Sequence, residues 1–293
     1  MRARLVLLGT KGGPAVRPAS PLPTASALVA GDELTVVDCG AGVTVSLANA
    51  GLPLTMLERV FVTHLHSDHV LELGPLLHTA WTSGLSHPLK VFGPPGMREY
   101  LEHFLAAMRF DIETRIADEG RPPLGELLRL TEYGEGEVMA DAGLRVTALR
   151  NIHPPVEESY ALRFDFGGGP SVVFSGDTAR HPPLAAFARG ADILVHEAML
   201  PAGMEKIVEK VGGGDRLRAH LKASHSTAGE AGWIAREAGV GRLVLHHLIP
   251  ADDPDFSEAD WLAATAESWE GPVTVGRDGL VVPIDKKREG AGA

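Results

Sequence analysis

Residues 63–69 read THLHSDH, which packs three histidines and an aspartate into seven positions. The preceding stretch, LERVFV at 57–62, is apolar and rich in branched and aromatic residues, and it predicts a buried strand. The following stretch, VLELGPLLHTAW at 70–81, repeats apolar residues at a helical period. His64, His66, Asp68 and His69 therefore fall on a strand-to-helix turn, where the side chains of successive residues can converge on one point.

The rest of the chain alternates in the same way. RLVLLG (4–9), SALVA (26–30) and LTVVDCG (34–40) read as opening strands, and AGVTVSLANAG (41–51) as a helix stopped at Gly51. PLKVFGPPG (88–96) predicts a strand ending in a Pro/Gly turn, followed by an amphipathic helix over 96–108. Residues 110–140 are polar and mixed and define no element. A hairpin-rich run follows: LRVTALRNIH (144–153), SYALRFDFGGG (159–169) and PSVVFSGDT (170–178). The strand ADILVHEAM (191–199), the helix STAGEAGWIAREAG (226–239), the strand GRLVLHHL (241–248) and a helix near 257–269 come next, and GPVTVGRDGLVVPI (271–284) reads as a closing hairpin. No repeat or linker divides the pattern. It predicts one α/β domain over 1–284 and a flexible tail, DKKREGAGA, over 285–293.

A hydrophobic content of 44% over 293 residues is ample for a core. Lys plus Arg number 27 against 38 Asp plus Glu, a net charge of −11, which argues against a general polyanion-binding surface. The one cysteine, Cys39, cannot form an internal disulfide, which suits a reducing compartment. The N-terminal apolar run is too short for a signal sequence, and no run approaches a membrane span. A soluble cytoplasmic protein with no membrane partner is expected.

Further groups of the same chemistry stand at strand ends: His153 after LRVTALRNI, Asp177 after SVVFSG and His247 after LVLH. Loops that leave a sheet can adapt around a ligand, and imidazole and carboxylate are the usual nitrogen and oxygen donors for zinc. Seven such groups exceed what one tetrahedral ion uses. Two ions about 3.5–4 Å apart, sharing a carboxylate, would use all seven, and such pairs activate water for hydrolysis.

On these residues the chain resembles the metallo-β-lactamase-fold hydrolases. The signature H-x-H-x-D-H is present as His64, His66, Asp68 and His69, and the later members fall in order on His153, Asp177 in SGDT and His247 in LVLHHL. The likeness runs from LLGTKGGP to the final hairpin. It is strongest to the branch that holds arylsulfatase-type enzymes and the tRNA-maturing ribonuclease Z, with which the chain shares HEA (Glu197) and SHST (His225). The resemblance implies a four-layer αββα sandwich with the site at one edge. It implies that His64, His66 and His153 bind a first ion, that Asp68, His69 and His247 bind a second, and that Asp177 bridges them. Two zinc ions per chain are expected, although a His/Asp site also accepts manganese, iron or cobalt. The catalytic set it implies is His225 as proton donor, Glu197 orienting it, and Asp68 taking the proton of the attacking water.

Each residue also has a plainer reading. Adjacent residues of a strand face opposite ways, so only one of His246 and His247 can face the site, and His247 is the choice that matches the family. His78, His87, His103, His181, His196 and His220 belong to no matching motif. GTKGG lacks the G-K-[ST] order of a phosphate loop and reads as a tight turn. Asp38 is expected to support the ligand loops, and Cys39 to be a buried small residue.

Three functions compete: a small-molecule ester hydrolase, ribonuclease Z, and a non-catalytic metal-binding member of the fold. Ribonuclease Z usually carries a long tRNA-gripping arm between the third-motif histidine and the bridging aspartate, and only 23 residues lie between His153 and Asp177 here. The charge of −11 and the acidic LIPADDPD after His247 point the same way. The third reading would expect a lost ligand, and none is lost. The expectation is therefore a dinuclear metal hydrolase of the arylsulfatase-like branch. Its substrate would be a small anionic ester, a sulfate or a phosphate, with a lactone or carboxylic ester as an alternative; nucleic acid would not be a partner. Pocket walls are expected at 75–90, 108–135 and 199–222. A homodimer is expected through the apolar, Trp-bearing helix LLHTAWTSGL (76–85).

Overall fold

The computed structural model describes residues 3–212 and 214–286. Most of the tail expected at 285–293 lies outside the described residues. Fourteen strands form two seven-stranded sheets. The strands are β1 (Ala3–Gly9), β2 (Ala25–Ala30), β3 (Glu33–Val37), β4 (Leu57–Phe61), β5 (Leu89–Gly93), β6 (Leu128–Glu132), β7 (Gly136–Ala140), β8 (Leu144–Arg150), β9 (Tyr160–Phe166), β10 (Ser171–Phe174), β11 (Ile193–Met199), β12 (Arg242–Ile249), β13 (Val273–Val275) and β14 (Val281–Ile284). The first sheet has the order β14-β1-β2-β3-β4-β5-β6 and the second β13-β12-β11-β10-β9-β8-β7.

The sheets are mixed in a matching way. β14, β1, β2 and β3 pair antiparallel, and β3 to β6 run parallel. In the second sheet β7 to β10 pair antiparallel, and β10 to β13 run parallel. The central parallel strands are buried on both faces, as ILVHEAM of β11 is at every residue, whereas the edge strand β6 is largely exposed.

The layers follow from which faces are apolar. Between the sheets lie Leu5, Leu28 and Phe61 from one side and Tyr160, Phe164 and Val195 from the other. Phe61 stacks on Phe92 at 4.5 Å and meets Phe164 edge-on at 5.1 Å, the two geometries that ring quadrupoles favour. The outer face of the first sheet is covered by helices Val43–Asn49, Leu73–Thr82 and Met97–Ala107, and that of the second by Pro182–Phe187, Ala228–Ala238 and Glu258–Ala266. The expected four-layer αββα sandwich is the observed fold.

Three sequence readings are corrected. The stretch 271–284 is not a hairpin: β13 pairs parallel with β12 in the second sheet, while β14 pairs antiparallel with β1 in the first. Residues 110–140 are structured, with helices Arg109–Glu119 and Leu124–Leu127 followed by β6 and β7. The Trp-bearing helix offers no surface patch. Leu73, Leu76 and Leu77 are buried, and Trp81, 1% exposed, donates from Nε1 to the Pro122 carbonyl at 2.8 Å. An apolar stripe shows that a helix needs a cover, and here residues 121–122 and the core already supply it.

Candidate metal centre

The histidine cluster is presented as its sequence predicts. β4 ends at Phe61, and the chain turns through His64 and His66 into the short helix Ser67–Val70, which places Asp68 and His69 in its first turn. Asp38, at the end of β3 with φ +62°, ties this turn down. Its carboxylate accepts from the Thr63 N–H at 2.8 Å and from His69 Nδ1 at 2.9 Å, the supporting part expected of it. Thr63 Oγ1 stands 3.1 Å from His64 Nδ1.

The later residues arrive from the second sheet. His153 follows β8, and its Nδ1 donates to the Ser224 carbonyl at 2.9 Å. Asp177 follows β10 across Gly176, whose φ is +58° and where a Cβ would lie 2.6 Å from the Tyr160 carbonyl oxygen. His247 lies within β12 rather than after it. Glu197 pairs with His246 and Ala198 with Leu248, so His247 is the extra residue of a bulge, at φ +44°. The bulge resolves the adjacent pair: His247 turns to the cluster, and His246 faces Ser26 across the sandwich at 3.4 Å.

All seven expected ligands meet. His66 Nδ1 is 3.1 Å from both His64 Nε2 and His153 Nε2. Asp68 Oδ2 is 3.8 Å from His69 Nε2 and 3.4 Å from His247 Nε2. Asp177 Oδ2 lies between the two groups, 3.3 and 3.1 Å from His69 and His247 and 3.8 and 3.9 Å from His64 and His153.

The donor set fits a cation on each side of Asp177. His69 and His153 give the proton of Nδ1 to an acceptor, so each Nε2 carries a bare lone pair toward the centre. His69 Nε2, His247 Nδ1 and Asp177 Oδ1 are buried and have no hydrogen-bond partner among the described residues. The geometry is that of a His/Asp site for a pair of metal ions.

The electrostatics agree. Burial pushes the imidazoles of His64 and His153 below the ordinary value. Burial also opposes charge on His69 and His247, but Asp177 outweighs it, holding His69 high and pushing His247 up to about 10. Without metal, the carboxylates are balanced by protons on the imidazoles that would otherwise be ligands.

His225 and Glu197 lie beside the cluster. His225 Nδ1 donates to Glu197 Oε2 at 2.9 Å, and Glu197 Oε1 accepts from the Thr178 N–H at 2.5 Å. Thr227, two residues on, caps the helix Ala228–Ala238 in a capping box with Glu230, which fixes the backbone at His225. A ring atom of His225 also comes within 4.8 Å of the ligand atoms of Asp177 and His247.

The cluster opens into a cleft of about 350 Å³. Only one of the expected wall segments forms it: the helices Pro201–Val211 and Gly214–Ser224 supply Ile207, Leu217 and Leu221, whereas 75–90 and 108–135 supply no lining residue. The other walls are residues 11–17 and 249–252. Sequence reasoning passed over two of these residues. His220, set aside there, lines the cleft with its ring centroid 6.0 Å from that of His225. Lys11, read as part of a tight turn, is a buried cation of the wall. His196 faces away from the cluster, with Nδ1 against the Glu197 carbonyl at 2.7 Å.

Residues 35–248 match the family model described as a beta-lactamase superfamily domain. Among curated proteins, the chain is 35% identical over 288 residues to a ribonuclease Z of Mycobacterium bovis, covering 97% of this chain and 99% of that one. It is 37% identical over 281 residues to a ribonuclease Z of Mycobacterium sp. (strain KMS), covering 94% and 93%. Among solved structures, the metallo-beta-lactamase fold protein YhfI from Bacillus subtilis superposes with a TM-score of 0.71 at 23% identity, covering 97% and 100%. Human tRNase Z, short form, superposes with a TM-score of 0.68 at 22% identity, covering 96% and 99%.

These matches overturn two expectations, that the substrate is a small anionic ester and that nucleic acid is no partner. The curated relatives at 35–37% identity bear the name of a ribonuclease, not of a sulfatase or a small-ester hydrolase. Of the three grounds for the small-ester expectation, the missing arm and the net charge fail physically, while the acidic stretch after His247 does reach the cleft through Asp252. A relative aligned over 288 residues and 99% of its own length has no room for a long arm, so lacking one does not separate this chain from it. The charge of −11 belongs to the whole chain, whereas the two helices walling the cleft carry Lys206, Lys210, Arg216, Arg218 and Lys222 against Glu205, Glu209 and Asp215. Among the described residues, no helix is long and apolar enough to cross a membrane.

Proposed function

Because the chain belongs to the beta-lactamase superfamily, in its ribonuclease Z-like branch, we propose that this metal-dependent hydrolase is a ribonuclease Z-type endonuclease that cuts a phosphodiester bond on the 3′ side of precursor tRNA. The observation that carries the reading is the 35% identity to a named ribonuclease Z over 97% of this chain, in a protein that holds the whole His/Asp cluster. In this reading His64, His66 and His153 would hold one zinc ion and Asp68, His69 and His247 the other, with Asp177 available to both. Zinc ions so placed supply Lewis acidity toward the phosphoryl group and toward water.

The remaining chemistry belongs to the chain. Asp68 accepts the proton of the attacking water, and the Gly13 N–H at 2.8 Å keeps its Oδ2 turned inward. His225 donates a proton to the departing alcohol oxygen, and Glu197 holds the ring in the tautomer whose Nε2 faces the cleft. Residues 1–284 act as one hydrolase domain, and the lone, buried Cys39 suits a cytoplasmic setting.

The test is incubation of the zinc-loaded protein with a precursor tRNA carrying a 3′ trailer. Cleavage at one position near the end of the acceptor stem is expected, lost on chelation and restored by zinc. An intact precursor at enzyme excess, with two ions bound per chain, would overturn the reading.

A further inference from the structure

Lys11 is 3% exposed, yet among the described residues it forms no salt bridge with any carboxylate. Its Nζ instead donates to two main-chain carbonyls, Gly13 at 3.3 Å and Ala15. Burial lowers the pKa of its ammonium, and Asp252, Asp68 and Asp278 offset this only from beyond ion-pair distance, so the two carbonyls are its direct partners. Both acceptors lie in the loop that follows Lys11, and the side chain closes that loop on itself.

The loop touches two of the residues assigned to the second ion. The Gly13 N–H donates to Asp68 Oδ2 at 2.8 Å, the oxygen that also faces His247 Nε2 and His69 Nε2. Gly12 lies flush against the His247 ring, where a Cβ would come within 2.8 Å of Cε1 and Nδ1. The strand on either side of the loop is fixed independently. Leu248 N–H donates to Thr10 O at 2.8 Å, Gly12 N–H donates to Leu248 O at 3.1 Å, and Asp278 accepts from Thr10 N–H at 3.0 Å. The base of the loop is therefore held by main-chain pairing, while its tip, which carries the Gly13 donor, is held by Lys11.

We propose that Lys11 is a positioning residue for the ion bound by Asp68, His69 and His247, acting through the closed loop 11–15. The proposal rests on the ligand assignment above but not on the identity of the RNA substrate. A competing role, direct contact with a substrate phosphate, is open to a cation that lines the cleft, and it predicts a different outcome.

The test uses the full chain as Lys11→Met and Lys11→Arg. Zinc stoichiometry is read by elemental analysis and affinity by titration against a competing chelator, with the cobalt-substituted protein giving a spectrum for each ion. Lys11→Met should keep the first ion at wild-type affinity and weaken the second by about 10–100-fold, the usual loss for a residue behind a metal ligand. Lys11→Arg, which can reach the same carbonyls, should recover most of it, and the Tm of the metal-free protein should hardly move. Wild-type affinity for both ions in Lys11→Met would overturn the proposal. If the slope of RNA cleavage against salt then falls by about one, Lys11 is a substrate contact instead. Should Lys11→Met fail to fold, Gly12→Ala presses on the same junction from the His247 side, and it must lower the second ion's affinity selectively or the proposal fails. If the wild-type protein with two zinc ions leaves precursor tRNA uncut while Lys11→Met selectively loses the second ion, the ribonuclease reading fails and this one stands.

Discussion

Replacing Glu197 by glutamine separates a positioning carboxylate from a mere packing group. The carboxylate is 2% exposed and satisfies two donors, His225 Nδ1 at 2.9 Å and the Thr178 N–H at 2.5 Å. Glutamine keeps the shape, but its one oxygen can serve only one donor while its NH₂ faces the other. A hydrogen bond to a charged group is worth about 1.5–3 kcal/mol net, so losing it from a protonated His225 should lower kcat by about 10- to 150-fold. His225→Ala removes the proton donor itself, for which the expected loss is about 10²–10⁴-fold. If Glu197 acts through His225, then Glu197→Gln added to His225→Ala should change kcat by less than about twofold, because the group it orients is gone. The assay is single-turnover cleavage of end-labelled precursor tRNA by zinc-loaded protein, with metal content measured on the same preparations. Two bound ions are expected in all three variants. Multiplicative losses in the double variant would refute the coupling, and loss of one ion from His225→Ala would make that histidine a ligand.

Elemental analysis of wild type should find close to two equivalents of transition metal per chain, and about one after His247→Ala; no metal after reconstitution would refute the paired site. The exposed pair Lys210→Glu and Arg216→Glu, on the helices beside the cleft, should raise KM for precursor tRNA and flatten its salt dependence while leaving hydrolysis of a small nitrophenyl diester unchanged; equal effects on both substrates would mean that the helices do not touch RNA. His196 supplies a pH test of stability. Burial holds its pKa at about 4, below the ordinary 6.5, so its contribution is full above 6.5 and is lost as pH falls toward 4. At pH 5 the loss relative to pH 7.5 is about 2 kcal/mol at 1.36 kcal/mol per pKa unit, and His196→Leu should remove that increment from the pH dependence of the urea midpoint; an unchanged pH dependence would refute it.

The positions of the seven ligand candidates were legible because each is declared locally. His64 to His69 follow an apolar run and open a helical period, while His153 and Asp177 follow runs of branched residues at a turn. For these, a strand end and a donor residue are both visible within about ten positions. Only family likeness favours His247 over His246, and alternation cannot give its geometry, because a bulge breaks the period at that residue. Alternating apolar strands and one-faced helices make an α/β domain legible, whereas the four-layer order comes from the family likeness alone.

What was misread depends on partners far along the chain. VTV and VVPI flank an Arg-Asp-Gly turn and satisfy every local rule for a hairpin, yet Asp278 in that turn accepts from Thr10 and from the Leu22 N–H. Those bonds direct the two strands into different sheets. Trp81 shows the same limit, since its helix has an apolar face and only the fold says what covers it. Charge fails as a guide for a further reason. A sum over 293 residues discards position, and screening confines the field of an exposed charge to about 10 Å at 0.1 M salt. A bound strand would therefore meet the exposed Lys210 and Arg216 beside the cleft, where Asp252 of the wall is already paired with Arg17 at 2.8 Å. Lys11 combines both limits, because its significance lies in which groups it closes on. A buried lysine whose direct partners are the Gly13 and Ala15 carbonyls looks, in sequence, like any lysine in a glycine-rich turn.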